Sequence, residues 1–131
     1  MKDDLFPIVL VVDDDRGQVV LVTSFLKKAG FRVVSASSAE QALAGVAAAG
    51  DASQAISLLV TDLDMPGASG RVLAERLVAK HPALKVLYVT GNADALFQKG
   101  HELKAHEAFL EKPVSAPSLR EAVNLLLQTR R

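Results

Sequence analysis

Asp13, Asp14, Asp62, Thr90 and Lys112 carry the side chains in this sequence best suited to chemistry, and each stands where an apolar run stops. VLVV at 9–12 runs into three consecutive acids, Asp13 to Asp15; SLLVT at 57–61 runs into Asp62, with Asp64 two residues beyond. VLYV at 86–89 ends at Thr90, and FL at 109–110 is followed by Glu111, Lys112 and Pro113. Asp62 and Asp64 taken alone could be metal ligands, a nucleophile with a helper, or ordinary turn residues before Met65-Pro66-Gly67. If the four run ends meet, the options narrow. Two carboxylates about 4 Å apart repel by roughly 4 kcal/mol at an effective dielectric of 20, so an acid cluster needs a cation or raised pKa values. A hard divalent ion such as Mg²⁺ suits oxygen ligands, and Lys112 offers a point charge for an anion beside it. Acids, metal, ammonium and hydroxyl are parts for phosphoryl transfer, in which positioning and charge neutralisation do most of the catalysis. A carboxylate is itself a competent phosphoryl acceptor.

The elements that would bring these residues together are visible in the hydrophobic pattern. IVLVV (8–12), SLLVT (57–61) and KVLYV (85–89) are short, continuous apolar runs, the signature of strands buried on both faces of a parallel sheet. FRVVS (31–35) and EAFL (107–110) are weaker strand candidates. Between them lie segments with helical periodicity. Val19, Val22, Leu26 and Ala29 share a face that Gly30 can end with a left-handed cap, and Ser38 can start a second helix through Ala42, Leu43 and Val46 to Gly50. Leu73, Leu77 and Val78 mark a third helix opened near Gly70 and stopped by Pro82. A fourth is expected around residues 93–103, with Leu96, Phe97 and Leu103 inward and Gly100 weakening it. Ser115 can cap a last helix with Leu119, Val123 and Leu126 inward and Arg130 and Arg131 at its C-terminal dipole. AAAGDASQA (47–55) reads as the end of the second helix plus a flexible loop.

Strand and helix thus alternate five times, which predicts an α/β domain with a doubly wound, five-stranded parallel sheet. In such sheets the functional crevice lies at the carboxyl ends of the strands, where the acids, Thr90 and Lys112 fall. With 131 residues and no internal repeat or linker, the chain reads as one domain spanning 1–131. Lys plus Arg and Asp plus Glu number 15 each, so no overall basic field favours direct nucleic-acid binding or an anionic membrane. Cysteine is absent, which excludes thiol catalysis and Cys-ligated zinc. The apolar run near the N-terminus is too short and too quickly followed by acids for a signal peptide or membrane span, so the reading is a soluble, cytoplasmic protein. His81, His101 and His106 lack metal-ligand spacing and read as solvated surface positions.

Five anchors in register, VLVVDDD at 9–15, Leu-x₃-Gly-Phe at 26–31, VTDLDMPGASG at 60–70, VLYVTGNAD at 86–94 and FLEKPV at 109–114, resemble the receiver domains of two-component response regulators. The resemblance covers roughly residues 6–128 and implies a flavodoxin-like (βα)₅ three-layer sandwich. By that resemblance Asp62 is the phosphoacceptor, and Asp13, Asp14 and Asp62 hold Mg²⁺ together with the main-chain carbonyl of Asp64. Thr90 is the hydroxyl residue that follows the phosphoryl group, Lys112 the cation paired with it, Phe109 the switch aromatic, and Lys112–Pro113 a cis peptide. The donor is then a histidine kinase or histidine phosphotransfer protein. The chain catalyses its own phosphorylation and dephosphorylation rather than turnover of a separate substrate. It acts as a monomer or a phosphorylation-dependent dimer, either as a stand-alone regulator or as the C-terminal receiver of a hybrid kinase. The acidic side chain of Asp64 departs from the common pattern and bears on phosphoryl lifetime.

Two other readings stay open on the sequence. An Asp-x-Asp phosphatase or phosphotransferase matches Asp62-Leu63-Asp64, though that pattern calls for the pair on the first strand and a larger chain with a substrate cap. A receiver-like interaction module that is never phosphorylated would not need the acids, Thr90 and Lys112. Asp13 to Asp15 also have a structural role open to them, since one of the three is expected to cap the first helix, and Asp15 is the weakest ligand candidate.

Overall fold

The structure, a computed structural model, describes residues 7–92, 94 and 103–128. Five strands, β1 (Ile8–Val12), β2 (Arg32–Ala36), β3 (Ile56–Asp62), β4 (Lys85–Thr90) and β5 (Glu107–Glu111), form one parallel sheet in the order β2-β1-β3-β4-β5. Among the described residues there are four α-helices: α1 (Arg16–Lys28), α2 (Ala39–Ala49), α3 (Gly70–Lys80) and α4 (Ala116–Gln128).

The continuous apolar runs are strands because both of their faces are covered. Leu10, Val12, Leu59, Val86 and Tyr88 point into one core with Leu73 and Leu77 of α3 and Ala42 and Val46 of α2. Their neighbours Val9, Val11, Leu58, Val60, Leu87 and Val89 point into a second core with Val22 and Leu26 of α1 and Leu119, Val123 and Leu126 of α4. Alternation along each strand sends successive side chains to opposite faces, so three layers follow directly from the sequence. A fully buried Leu or Val in either core contributes about 1.5–3 kcal/mol relative to exposure.

The helices begin and end where local chemistry requires. Asp15 caps α1, its Oδ1 accepting from the N–H groups of Gly17 at 2.9 Å and Gln18 at 3.3 Å. Ser38, Ser69 and Ser115 do the same for α2, α3 and α4 through Gln41, Val72 and Ser118. Gly30, with φ 97°, carries the chain out of α1.

Several expectations need correction. Residues 50–55 form a 3₁₀ helix (Gly50–Ala55) rather than a loop. β2 is displaced by one residue from the apolar window, because it is an edge strand paired only with β1 and largely exposed. His106 is 6% exposed, not solvated: its carbonyl accepts from Val86 N–H at 2.9 Å, which docks the residue against β4 before β5 begins. Ala29 is exposed at the end of α1 rather than part of its inner face. The expected fourth helix, with Leu96, Phe97 and Gly100, lies outside the described residues, as do His101, Arg130 and Arg131. Leu103 falls in an irregular segment and packs, half-buried, on the α2–α3 side of the sheet.

Candidate functional site

The chain leaves β1 toward one edge of the sheet to form β2 and returns on the other side of β1 as β3. The direction of winding therefore reverses between β1 and β3, and the connections leaving their carboxyl ends diverge to open a crevice. Asp13 follows β1, Asp62 ends β3, Thr90 ends β4 and Lys112 follows β5, so all four stand at that end of the sheet.

Three of them are in direct contact. Lys112 Nζ lies 3.1 Å from Asp13 Oδ2 and 3.2 Å from Asp62 Oδ2. Asp13 is held by a main-chain bond from its N–H to Ala36 O at 3.3 Å, and its Oδ1 accepts the N–H of Asp15 at 2.9 Å. The N–H of Asp64 donates to Asp62 Oδ1 at 3.3 Å, so each buried carboxylate has one oxygen on backbone and the other on the ammonium. Asp14 is exposed beside them, and the side chain of Asp64 is exposed as well.

Burial sets the electrostatics. Desolvation pushes the Asp13 carboxyl above its ordinary value; the Asp15 N–H and Lys112 pull it back only in part, and the charge of Asp62 adds to the rise. Burial also acts to lower Lys112, but the hydrogen bond and charge of Asp13, with the charge of Asp62, outweigh it and raise the ammonium above 10.5. The ion pair favours both charged forms. The Asp13 pKa rises nonetheless, because its side chain is 4% exposed against 24% for Lys112 and loses more hydration than the pair returns.

Asp13, Asp14 and Asp62 each place a carboxylate oxygen within 4.8 Å of the others. This all-oxygen donor set, with one carboxylate desolvated by burial, fits a hard divalent cation of the Mg²⁺ or Ca²⁺ type rather than a soft metal.

Thr90 is fully buried. Its Oγ1 accepts the N–H of Asn92 at 3.1 Å, and its carbonyl accepts the N–H of Lys112 at 2.8 Å, which fixes the Lys112 backbone to the end of β4. The Lys112–Pro113 peptide is cis. Phe109 is not among the acids: it stands opposite Tyr88 in the β4–β5 register and packs, half-buried, on the α2–α3 core.

Two contributors were hidden in the sequence. Gly70 looks like a helix opener, yet a Cβ there would lie 2.0 Å from Asp62 O and 2.9 Å from its carbonyl carbon, so only glycine lets α3 start against the main chain of Asp62. Its N–H donates to Leu63 O at 3.0 Å and closes the β3–α3 loop. The second is Glu40 on α2, whose Oε2 accepts the N–H of Ala68 at 3.2 Å. The GASG run hints at the first as a crowded turn; nothing in residue spacing points to the second.

A doubly wound parallel sheet in the order β2-β1-β3-β4-β5, with an acid cluster and a lysine at the carboxyl ends of its strands, defines a class of flavodoxin-like α/β domains. Within that class, the response regulator receiver domain family model matches residues 9–124, and the chain belongs to that family. It is 31% identical over 125 residues to the C4-dicarboxylate transport transcriptional regulatory protein DctD of Rhizobium meliloti (strain 1021), covering 95% of this chain and 26% of that protein. A response regulator receiver protein from Sinorhizobium medicae WSM419 superposes with a TM-score of 0.82 at 25% identity, covering 96% of this chain and 98% of the other. A CheY-like receiver domain protein from Methanospirillum hungatei JF-1 gives 0.76 at 26% identity, covering 93% of this chain and 94% of the other. The chain spans between about a tenth and a half of the length of the curated relatives it matches. It is a signalling module of the two-component type. Among the described residues no helix is long and apolar enough to cross a membrane.

Proposed function

We propose that the chain accepts a phosphoryl group on Asp62 from the phosphohistidine of a histidine kinase or phosphotransfer protein, and that this changes the partner it binds. The observation that carries the reading is the contact of one lysine with both buried acids, Lys112 Nζ to Asp13 at 3.1 Å and to Asp62 at 3.2 Å. In the transfer an Asp62 carboxylate oxygen attacks phosphorus, the P–O bond forms as the P–N bond to the donor imidazole breaks, and the imidazole leaves with a proton.

Asp13, Asp14 and Asp62, with the main-chain carbonyl of Asp64, would hold Mg²⁺. A bound Mg²⁺ supplies neutralisation of the negative charge that phosphoryl transfer concentrates on the oxygens. Lys112 provides the cation that pairs with the incoming phosphoryl group, and the Thr90 hydroxyl donates to it. Phe109 reports the change on the face that carries β5 and α4. Charge-assisted hydrogen bonds to a phosphoryl group are of the strength needed to shift a two-state equilibrium by several kcal/mol. Residues 1–131 act as a single module with a core of about 6–128, in the cytoplasm, as a monomer or a phosphorylation-dependent dimer without direct nucleic-acid contact. The chain modifies only itself.

The test is labelling by a small acyl-phosphate donor. The native chain takes up label with Mg²⁺ and not with EDTA, and Asp62→Asn takes up none; undiminished label on Asp62→Asn sinks the assignment.

A further inference from the structure

Glu40 lies in the first turn of α2, 28 residues before its partner, and its Oε2 accepts the N–H of Ala68 at 3.2 Å. The carboxylate rests directly on Gly67. A Cβ built there would stand 2.8 Å from Oε2, 3.3 Å from Oε1 and 3.4 Å from Cδ, and Gly67 also has φ 82°. The left-handed backbone favours glycine at this position, and a larger residue would also push the Glu40 carboxylate off the loop. Hydrogen bonds from the Glu40 N–H and then the Ala68 N–H hold the carboxyl below its ordinary value, with Arg76 of α3 adding a smaller favourable field. Glu40 is thus an ionised acceptor at neutral pH.

The loop that Glu40 touches is the one that carries Asp64. At its start the loop is fixed by Asp64 N–H on Asp62 Oδ1, and by the buried side chains of Leu63 and Met65. At its end it is fixed by Gly70 N–H on Leu63 O and by Ser69 capping α3. Pro66 and Gly67 between them are exposed, and the Glu40 contact fastens this tip to α2.

We propose that Glu40 is a positioning residue for the phosphoryl-acceptor site: by tying residues 67–68 to α2 it fixes the β3–α3 loop and with it the main-chain carbonyl of Asp64. The inference rests on the reading of Asp13, Asp14 and Asp62 as a divalent-ion site. Its effect passes through the loop backbone, since Glu40 itself touches none of the acids.

The experiment uses the full chain with Glu40→Ala and Glu40→Gln, and reads two quantities. The first is amide hydrogen exchange in EDTA at Ala68, with the core amide of Val86 as reference; the second is Mg²⁺ affinity by calorimetry. Glu40→Ala speeds exchange at Ala68 relative to Val86. It weakens Mg²⁺ binding about three- to tenfold, at or below the low end of what outer partners of metal ligands usually cost, because this contact is exposed. Glu40→Gln keeps an oxygen acceptor and stays within about twofold of the native chain. Unchanged exchange at Ala68, or faster exchange with unchanged Mg²⁺ affinity, overturns the proposal. A native chain without Mg²⁺ affinity instead overturns the site reading beneath it, and the proposal with it.

Discussion

Lys112, just past β5, reaches across the end of β4 to place its Nζ 3.2 Å from Asp62 Oδ2 on β3. The same ammonium serves Asp13 behind β1, so one cation neutralises acids from two strands. Removing it leaves two buried carboxylates facing each other. Lys112→Met is expected to lower unfolding stability by about 1–3 kcal/mol in EDTA at neutral pH. In an Asp62→Asn background the loss shrinks by about 0.5 kcal/mol or more, because less uncompensated charge remains. Urea unfolding of the four species checks this, and strictly additive losses would mean the contact contributes no coupling energy.

The two glycines of α2 and α3 separate crowding from helix propensity. At Gly70 a Cβ meets the main chain of Asp62 at 2.0 Å, whereas at Gly45 nothing lies within 4 Å. Gly45 also borders a cavity of about 430 Å³ between α2 and β2, lined by Leu10, Val34 and Val46 among others. Gly70→Ala should destabilise by about 3 kcal/mol, since backbone has to move. Gly45→Ala should stabilise by about 0.5–1 kcal/mol through reduced unfolded-state entropy and better helix propensity. Thermal or denaturant melts of both variants provide the comparison; a Gly70→Ala protein of native stability would contradict the packing described at Asp62.

Tyr88 is the sole tyrosine in a chain without tryptophan, so its ionisation can be followed directly in the near ultraviolet. It is fully buried on β4, and its hydroxyl donates to Glu107 Oε2 at 3.0 Å, while Glu107 Oε1 accepts the N–H of Lys104 at 3.0 Å. Burial first, and then the charge and hydrogen bond of Glu107, push the phenol well above its ordinary 10.0. A folded-state pKa raised in this way stabilises the fold below the ordinary value, and that stability is lost as pH rises toward the shifted one. The native protein is therefore expected to show no phenolate absorbance at about pH 11, where the urea-unfolded chain is largely ionised. Tyr88→Phe should flatten the stability loss over the same interval and cost about 1 kcal/mol at neutral pH. Phenolate appearing in the folded protein near 10 would refute the buried hydrogen bond.

What the sequence made legible depended on whether the signal was local. Leu58 to Val60 and Val86 to Val89 read as strands because both faces of each are buried, which removes polar alternation from the sequence itself. β2 was harder to bound because Arg32, Val34 and Ser35 face solvent at the sheet edge. Asp13, Asp62 and Lys112 could be brought together by topology alone, since parallel strands deliver their carboxyl ends to one edge. Asp15 is already the weakest ligand candidate of the three acids in the sequence, and its hydrogen bonds to Gly17 and Gln18 identify it as the cap of α1. Glu40 on Ala68, and Gly70 against Asp62, depend on how α2 and α3 sit on the sheet, a relation that no spacing encodes. His106 was misread for a similar reason: a polar side chain before a strand looks solvated until β4 is found beside it.

The two cores have a consequence for how the crevice is built. Leu63 and Met65, on either side of Asp64, are rooted in the α2–α3 core, while Val114, just past the Lys112–Pro113 bond, is rooted in the α1–α4 core. The mouth therefore has two jaws with separate foundations, divided by the sheet. A substitution that repacks Leu73 or Leu77 is expected to disturb the jaw bearing Asp64 more than Lys112, and one at Leu119 or Val123 the reverse. The Asp64 side and the Lys112 side of the opening are thus expected to respond to mutations on opposite sides of the molecule, without any change to the residues that line it.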